Sequence, residues 1–283
     1  MIKIFSAKEQ YRADVINLWQ EAFGDTTEYI SFFLDKCPSY ETVGYFADNK
    51  LVSMFFILEG NIKNFRCKYL YAACTANEFR RQGIMENLIR FAAEHYSKNG
   101  YDSIFLVPAN EKLYSYYQKL GFISSFQKSV SENKVDPSAL PHQSEKYSVD
   151  QIVEIKLMLL NEIDCFMFDK STLRYTVEEH LFNGGQIYCS TEDNTVTLIF
   201  YYFNDNELII KEYLNSKKEV HYDYCKQIIN NRAHNVYILY PLVYNNKDIV
   251  GEYTKCGMCL PLNSIFESYI RENPTLYAGM YLD

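Results

Sequence analysis

Four consecutive residues, Arg80-Arg81-Gln82-Gly83, carry the clearest chemistry in this chain. They follow the apolar run "CKYLYAACTA" and precede "IMENLIRFAAEH", whose apolar residues recur at helical spacing. A strand that turns through a glycine into a helix leaves the first N–H groups of that helix unpaired and aims the positive end of its dipole at one point. That point suits a pyrophosphate, and the arginines add charge for the same anion. By itself such a quartet more often only tightens a turn, so its weight depends on the elements around it. The other suggestive spacing is Cys256-Gly-Met-Cys259. No second pair or nearby histidine completes a zinc tetrahedron there, so no metal is expected and buried thiols near a turn are the plain reading.

The elements that would position the quartet read in order. "IKIFSA" is an opening strand, Glu9 to Phe23 has helical period, and "ISFFLDKC" is a second helix ending before Pro38. "ETVGYFADNKLVSMFFILEG" reads as two strands joined at Asp48-Asn49, followed by "CKYLYAACTA", a helix from Gly83 to Lys98, the buried strand "SIFLVPA" and the helix "EKLYSYYQKLGF". The order is β-α-α-β-β-β-α-β-α-β. The polar segment Ser131 to Ser148, with Pro137 and Pro141, reads as a linker. It divides the chain into a first domain at 1–133, a linker at 134–146 and a second domain at 147–283. The second half loosely repeats the order, with helices at Val149 to Asn161, Ser171 to Asn183 and Lys218 to Arg232, which predicts a diverged duplication. Its segment "YLNSKKEVHYDYCKQII" has no Arg-x-x-Gly between strand and helix, so no second phosphate cradle is expected.

Composition sets the outer limits. The 283 residues are 48% hydrophobic and 16% aromatic, enough for one large core or two of ordinary size. A net charge of -8 argues against nucleic acid as a partner. Eight scattered cysteines, no basic-then-apolar leader and no long apolar run predict a reduced, cytoplasmic protein with no membrane partner.

The strand, the "RRQGIMENLI" turn-helix, "SIFLVPA" and "NEKLYSYYQKLGF" together resemble the GCN5-related N-acetyltransferases over roughly residues 1 to 130. The family turn usually ends in Gly or Ala, where this chain has Met85. An Arg-Arg-x-Gly run followed by two aliphatic residues, with a degenerate second copy behind it, is similar to the enhanced intracellular survival type. Those proteins continue into a further domain for which this chain is too short. The resemblance implies an α/β (α+β) fold class of two tandem acyltransferase-like domains, each a mixed, mostly antiparallel sheet flanked by helices.

It further implies an enzyme that transfers an acetyl group from acetyl-coenzyme A to a primary amine, in a small molecule or a lysine side chain, through a direct ternary complex. The backbone of Ala73, Cys74 and Thr75 would pair with the pantetheine arm. The turn of Arg81, Gln82, Gly83, Ile84, Met85 and Glu86 would hold the pyrophosphate, and Asn110 would steady the cofactor near the thioester. Tyr117 matches the family general acid, with Tyr114 as fallback, although Leu113, Tyr116, Tyr117 and Leu120 also lie on one helical face as core residues would. "YLYAACTA" lacks the strand carboxylate that serves many relatives as base. By the narrower resemblance the chain's own end would serve, which makes Asp283 the candidate base. Glu28 and Glu59 are further carboxylates near the expected mouth.

Aromatic residues of the first two helices, Trp19 among them, would wall the acceptor site. The acidic balance favours a cationic acceptor amine, and a homo-oligomer stays open. Two other readings compete: a non-catalytic acyl-coenzyme A sensor, and an aminoacyl-tRNA-dependent peptidyl transferase. The phosphate turn and the net charge argue against the latter.

Overall fold

The computed structural model describes residues 1–134, 146–229, 235–244, 252–279 and 282. The chain forms two compact units, Met1–Ser125 with Gly257–Pro274, and Phe126–Cys256 with Thr275–Asp283. This differs from a division at 133 and 147. Sequence continuity suggests such a cut, but strand pairing over long separation decides which segments fold together. Most of the expected linker, 135–145, lies outside the described residues.

The first unit contains β1 (Ile2–Phe5), α1 (Arg12–Phe23), α2 (Thr27–Lys36), β2 (Glu41–Ala47), β3 (Lys50–Ile62), β4 (Phe65–Thr75), α3 (Ile84–Lys98), β5 (Ser103–Leu106), α4 (Glu111–Lys119) and the start of β6 (Ile123–Lys134). α1 begins at Arg12 rather than Glu9, because Tyr11 takes a left-handed φ of 57° ahead of it. Asp48 and Asn49 have φ of 46° and 64°, the two-residue turn that matches strand twist, so β2 and β3 close a tight hairpin.

The sheet order is β1-β2-β3-β4-β5. Neighbouring side chains of β3 face opposite ways. Phe56 meets Trp19 of α1 at 5.2 Å and Phe33 of α2 at 4.8 Å. Phe55 and Ile57 join a core cluster with Leu88 and Ile89 of α3 and Tyr114 and Tyr117 of α4. Alternation along one strand thus sorts the four helices into two pairs, one per face.

The second unit contains most of β6, then α5 (Val149–Leu160), β7 (Cys165–Phe168), α6 (Lys170–Phe182), β8 (Gln186–Glu192), β9 (Thr195–Asn204), β10 (Glu207–Asn215), α7 (Tyr222–Ile229) and β11 (Asn235–Pro241). Three elements follow: β12 (Glu252–Pro261), α8 (Ser264–Glu272) and β13 (Tyr277–Ala278). α5 opens on a capping box between Ser148 and Gln151. α7 is shorter than the expected Lys218 to Arg232 helix, and 230–234 lie outside the described residues. The short β7 has no clear sequence signal. It pairs in parallel with β13.

The outer strands are exchanged between the two halves of the sequence. In the first unit β5 pairs antiparallel with Met258–Pro261 of β12, and α8 packs Phe266 against Phe65 at 5.1 Å. In the second unit β11 pairs antiparallel with Lys128–Lys134 of β6. Cys256 and Cys259 therefore lie along a strand instead of at a turn, as buried cysteines.

The second unit keeps the plan of the first. β10 pairs in parallel with β11 over Glu207–Ile210 only, and a register shift follows between Ile210 and Glu212. Here the core holds an ion pair, Lys156 Nζ to Glu212 Oε2 at 2.7 Å, with both side chains at most 1% exposed. Gly279 passes so close that a Cβ there would strike the Glu212 carboxylate.

Candidate active site

The site in the first unit starts from an irregularity in β4. Its register with β3 steps from Met54↔Cys74 to Phe56↔Tyr71, and Ala72 between them takes a φ of 50°. A non-glycine residue held there costs about 1–2 kcal/mol, which the surrounding ladder must outweigh. β4 pairs in parallel with β5 only over Cys67–Tyr69, and β5 ends at Leu106. Past Tyr69 the two strands have no ladder between them.

Strand alternation then assigns the backbone groups. The Ala76 N–H donates to the Val52 carbonyl at 2.8 Å, and the Ser53 hydroxyl donates to the Cys74 carbonyl at 3.0 Å, so Cys74 and Ala76 turn to β3. Ala73 and Thr75 are turned to the open edge. Of the three residues expected to offer strand backbone, Cys74 spends its own on β3. Its thiol is buried, and burial pushes its pKa well up.

After β4 a short 3-10 turn, Asn77–Phe79, leads to the arginines. Arg80 Nε donates to the Thr75 carbonyl at 2.9 Å and ties the turn to the end of the strand. Gln82 Nε2 donates to the Glu78 carbonyl at 3.0 Å. Both roles are local. Arg81 is exposed, and its guanidinium has no partner among the described residues. Arg81 and Gly83 have φ of 62° and 75°, and such left-handed residues in a turn gather successive amides into an anion-binding concavity. A Cβ added at Gly83 would meet nothing within 4 Å. Glycine is therefore there for its backbone angle, and the space before it is open.

The first intrahelical bond of α3 runs from Asn87 N–H to the Gly83 carbonyl at 3.0 Å. The amides of Ile84, Met85 and Glu86 are consequently unspent within the helix. Met85 does not crowd the turn: its side chain packs on the core cluster that contains Leu88, Tyr114 and Tyr117. The Glu86 carboxylate is engaged by Arg90 one turn on, at 2.8 Å. An incoming anion thus meets amides and Arg81, with the one carboxylate of the turn already compensated.

Asn110 is the N-cap of α4, its side chain accepting the Leu113 N–H at 3.2 Å. It thereby holds the helix that presents Tyr117. The Tyr117 ring is 7% exposed and packs edge-on against Tyr116 at 5.2 Å and Phe122 at 5.4 Å. Its hydroxyl has no hydrogen-bond partner among the described residues. Burial, reinforced by Tyr116, raises its pKa well above 10, so it stays protonated and able to donate. Tyr114, the fallback, is equally buried in the same cluster.

The carboxylates separate clearly. Asp283 lies outside the described residues. Glu28 is an exposed first-turn residue of α2. Glu59 does not lie at this mouth. It is on β3 opposite Lys68, six residues before Cys74 on the partner strand. One carboxylate escaped sequence reasoning: Glu21 of α1 accepts the Asn77 N–H at 2.7 Å, and its charge is felt at Cys74. Nothing in the local pattern of α1 marks it, because its neighbours come from a segment 56 residues away.

A buried phenol, an unpaired strand edge and an anion-binding helix start are the groups an acyl transfer from a diphosphate-bearing thioester calls on. Among the described residues no helix is long and apolar enough to cross a membrane, and no group of His, Cys, Asp or Glu could hold a metal ion.

Comparison with known proteins agrees with these features. Residues 3–123 match the model of an acetyltransferase (GNAT) domain, a family that uses acyl-coenzyme A. No curated protein matches the sequence. Among solved structures, a probable N-acyltransferase from Enterococcus faecalis V583 superposes with a TM-score of 0.68 at 13% identity, over 92% of this chain and 72% of that one. Eis1 from Mycobacterium abscessus gives 0.65 at 7% identity, over 93% and 74%. A tandem GNAT protein from the clavulanic acid biosynthesis pathway gives 0.53 at 8% identity, over 93% and 99%. At these identities the likeness concerns the fold. Residues 3–123 are therefore an acetyltransferase domain of the GNAT family, within a chain whose fold is shared by tandem members.

Proposed function

We propose that the protein is an N-acetyltransferase that passes an acetyl group from acetyl-coenzyme A directly to a primary amine. The observation that carries this reading is the meeting of three unspent features: the open β4 edge at Ala73 and the Thr75 N–H, whose carbonyl alone is taken by Arg80, the free amides at the start of α3, and the unpartnered Tyr117 hydroxyl. Ala73, Met85 and Tyr117 all pack in one cluster. The residues fit the co-substrate. A pyrophosphate suits the amides of Ile84 to Glu86 with Arg81, and the amide-bearing pantetheine arm suits an unpaired strand edge. The co-substrate supplies the activated acyl group. A strand amide at the open edge would stabilise charge developing on its carbonyl oxygen, and Tyr117 would donate the proton that the departing thiolate needs.

The proton of the attacking amine needs an acceptor. Asp283 is assigned that task by resemblance to the enhanced intracellular survival type. Glu21 is the second reading, favoured by its bond to Asn77 at the mouth of the turn. Removing Asp283, and separately replacing Glu21→Gln, should distinguish them: the true acceptor lowers turnover and shifts its pH dependence, while the other leaves both unchanged.

The test of the whole reading is thiol release with acetyl-coenzyme A and a panel of primary amines, polyamines and lysine peptides included. Release that requires both partners supports it. Tight coenzyme A binding without turnover on any amine would favour the sensor, a reading that loses ground because Met85 packs inward. Binding of charged tRNA in place of coenzyme A would favour the peptidyl transferase.

A further inference from the structure

At the other end of α3 from the phosphate turn, the first unit has a cavity of about 490 Å3 that the proposed reaction does not use. Six residues of strand separate Lys68 on its floor from Cys74, a distance of about 20 Å. Its volume lies within the range of small-molecule sites.

The floor is polar where the sheet above it is apolar. Lys68 is 5% exposed, two residues from the core residue Leu70. Burying an ammonium is costly unless it is paired, and here the pairing is elaborate. Lys68 Nζ lies 3.0 Å from Glu59 Oε1 and 3.8 Å from Glu41 Oε2. It also sits over the rings of Tyr101 at 4.4 Å and Tyr96 at 5.1 Å. The Tyr96 hydroxyl donates to the same Glu41 oxygen at 2.8 Å, and the Tyr101 hydroxyl donates to the same Glu59 oxygen.

Each glutamate is therefore fixed through one oxygen and keeps the other without a partner among the described residues. The two side chains are 45% and 53% exposed, and both line the cavity. Glu41 pairs with Ile57, two residues from Glu59, a diagonal relation that puts the side-chain origins about 7 Å apart. Two carboxylates share one ammonium on the floor, and Arg66 at the rim brings the second positive charge, which is felt at Glu59.

The rim on the α3 side has the opposite character. Arg66 stacks on Tyr101 at 4.1 Å and spends only Nη1, on long 3.4 Å contacts to the Asn99 and Gly100 carbonyls. Its Nε and Nη2 are uncommitted among the described residues. His95 lines the same cavity, half-buried against Tyr96, with Nδ1 likewise uncommitted among the described residues.

We propose that this cavity binds a small zwitterion, a free α-amino acid, with its ammonium on the open oxygens of Glu41 and Glu59 and its carboxylate at Arg66 and His95. A purely anionic ligand would meet the floor carboxylates, and a purely cationic one would leave the rim donors idle. This site is separate from the reading of acetyl transfer, and either can fail without the other.

The test is calorimetric titration of the full chain with glycine, L-alanine, L-lysine and L-glutamate, with propylamine and propionate as single-charge controls. At least one amino acid should bind saturably, about tenfold or more tighter than either control. Arg66→Gln, an exposed change, and Glu59→Gln should each weaken that binding about tenfold while acetyl-coenzyme A affinity is unchanged. Glu59→Gln leaves Lys68 less well paired and could unfold the unit, so Arg66→Gln is the deciding variant. The proposal is overturned if no amino acid binds up to millimolar concentration, if propylamine binds as tightly as the amino acids, or if Arg66→Gln changes nothing.

Discussion

Replacing Tyr117 by phenylalanine removes one oxygen atom on which the fold does not depend. The ring supplies the packing, through Tyr116, Phe122 and the cluster around Leu88, and phenylalanine keeps all of it. The hydroxyl makes no hydrogen bond among the described residues, so no partner is orphaned and the usual cost of about 1 kcal/mol does not arise. Stability should change by less than about 0.5 kcal/mol, which is under about 2 °C in Tm for a chain of this size. Turnover should fall by about 10²–10⁴, or roughly 2.7–5.5 kcal/mol of transition-state stabilisation, if the hydroxyl is the general acid. KM for acetyl-coenzyme A should hold, because the groups proposed to bind it lie on β4 and α3. The wild-type profile should show no alkaline limb from this group below pH 10, since burial raises its pKa. Steady-state thiol release and a thermal melt on the same preparation check both halves. Wild-type turnover in Tyr117→Phe would refute the acid role, and a fall of several degrees in Tm would show that the oxygen is structural.

Three further outcomes are expected. Gly83→Ala should cost about 1 kcal/mol in stability through backbone strain alone, as its Cβ has open space, and should weaken acetyl-coenzyme A binding in titration. Met258→Ala, 1% exposed on β12, should destabilise the first unit by about 2–5 kcal/mol in denaturant although it lies in the second half of the chain. His180 is depressed below 6.5 by burial, its Nε2 held by the Gln186 carbonyl at 2.9 Å. The unfolded state thus takes up the proton first, and stability should fall as pH drops from 6.5 towards the folded-state value, by at most about 1.4 kcal/mol per unit. His180→Gln should flatten that part of the pH-stability curve, and an unchanged slope would count against it.

Much of the site is legible in local sequence, because it depends on local chain physics. A glycine before an amphipathic run sets the left-handed turn at Gly83 and leaves helix amides free, whatever else surrounds it. An Asp-Asn pair between two strand patterns closes the β2–β3 hairpin in the same way. The spacing of Leu113, Tyr116, Tyr117 and Leu120 predicts one core-facing helical face, and all four pack on the core cluster, although it is Tyr117 and the fallback Tyr114 that are fully buried and the other three only half so.

Other features depend on residues far apart in the chain, and only the tertiary structure decides them. Ala72 takes a positive φ because β3 and β4 must shift register, and that shift turns Ala73 and Thr75, not Cys74, to the open edge. β12 closes the sheet of the first unit and β6 that of the second, since edge strands pair wherever an unpaired neighbour lies, without regard to chain order. The cavity floor brings Glu41, Glu59 and Lys68 from three strands to one place, as each pairing adds its own register. Turns and helix faces arise from neighbouring residues, so the sequence alone determines them. Strand partners and the side chains they bring together follow from the collective packing of the whole sheet.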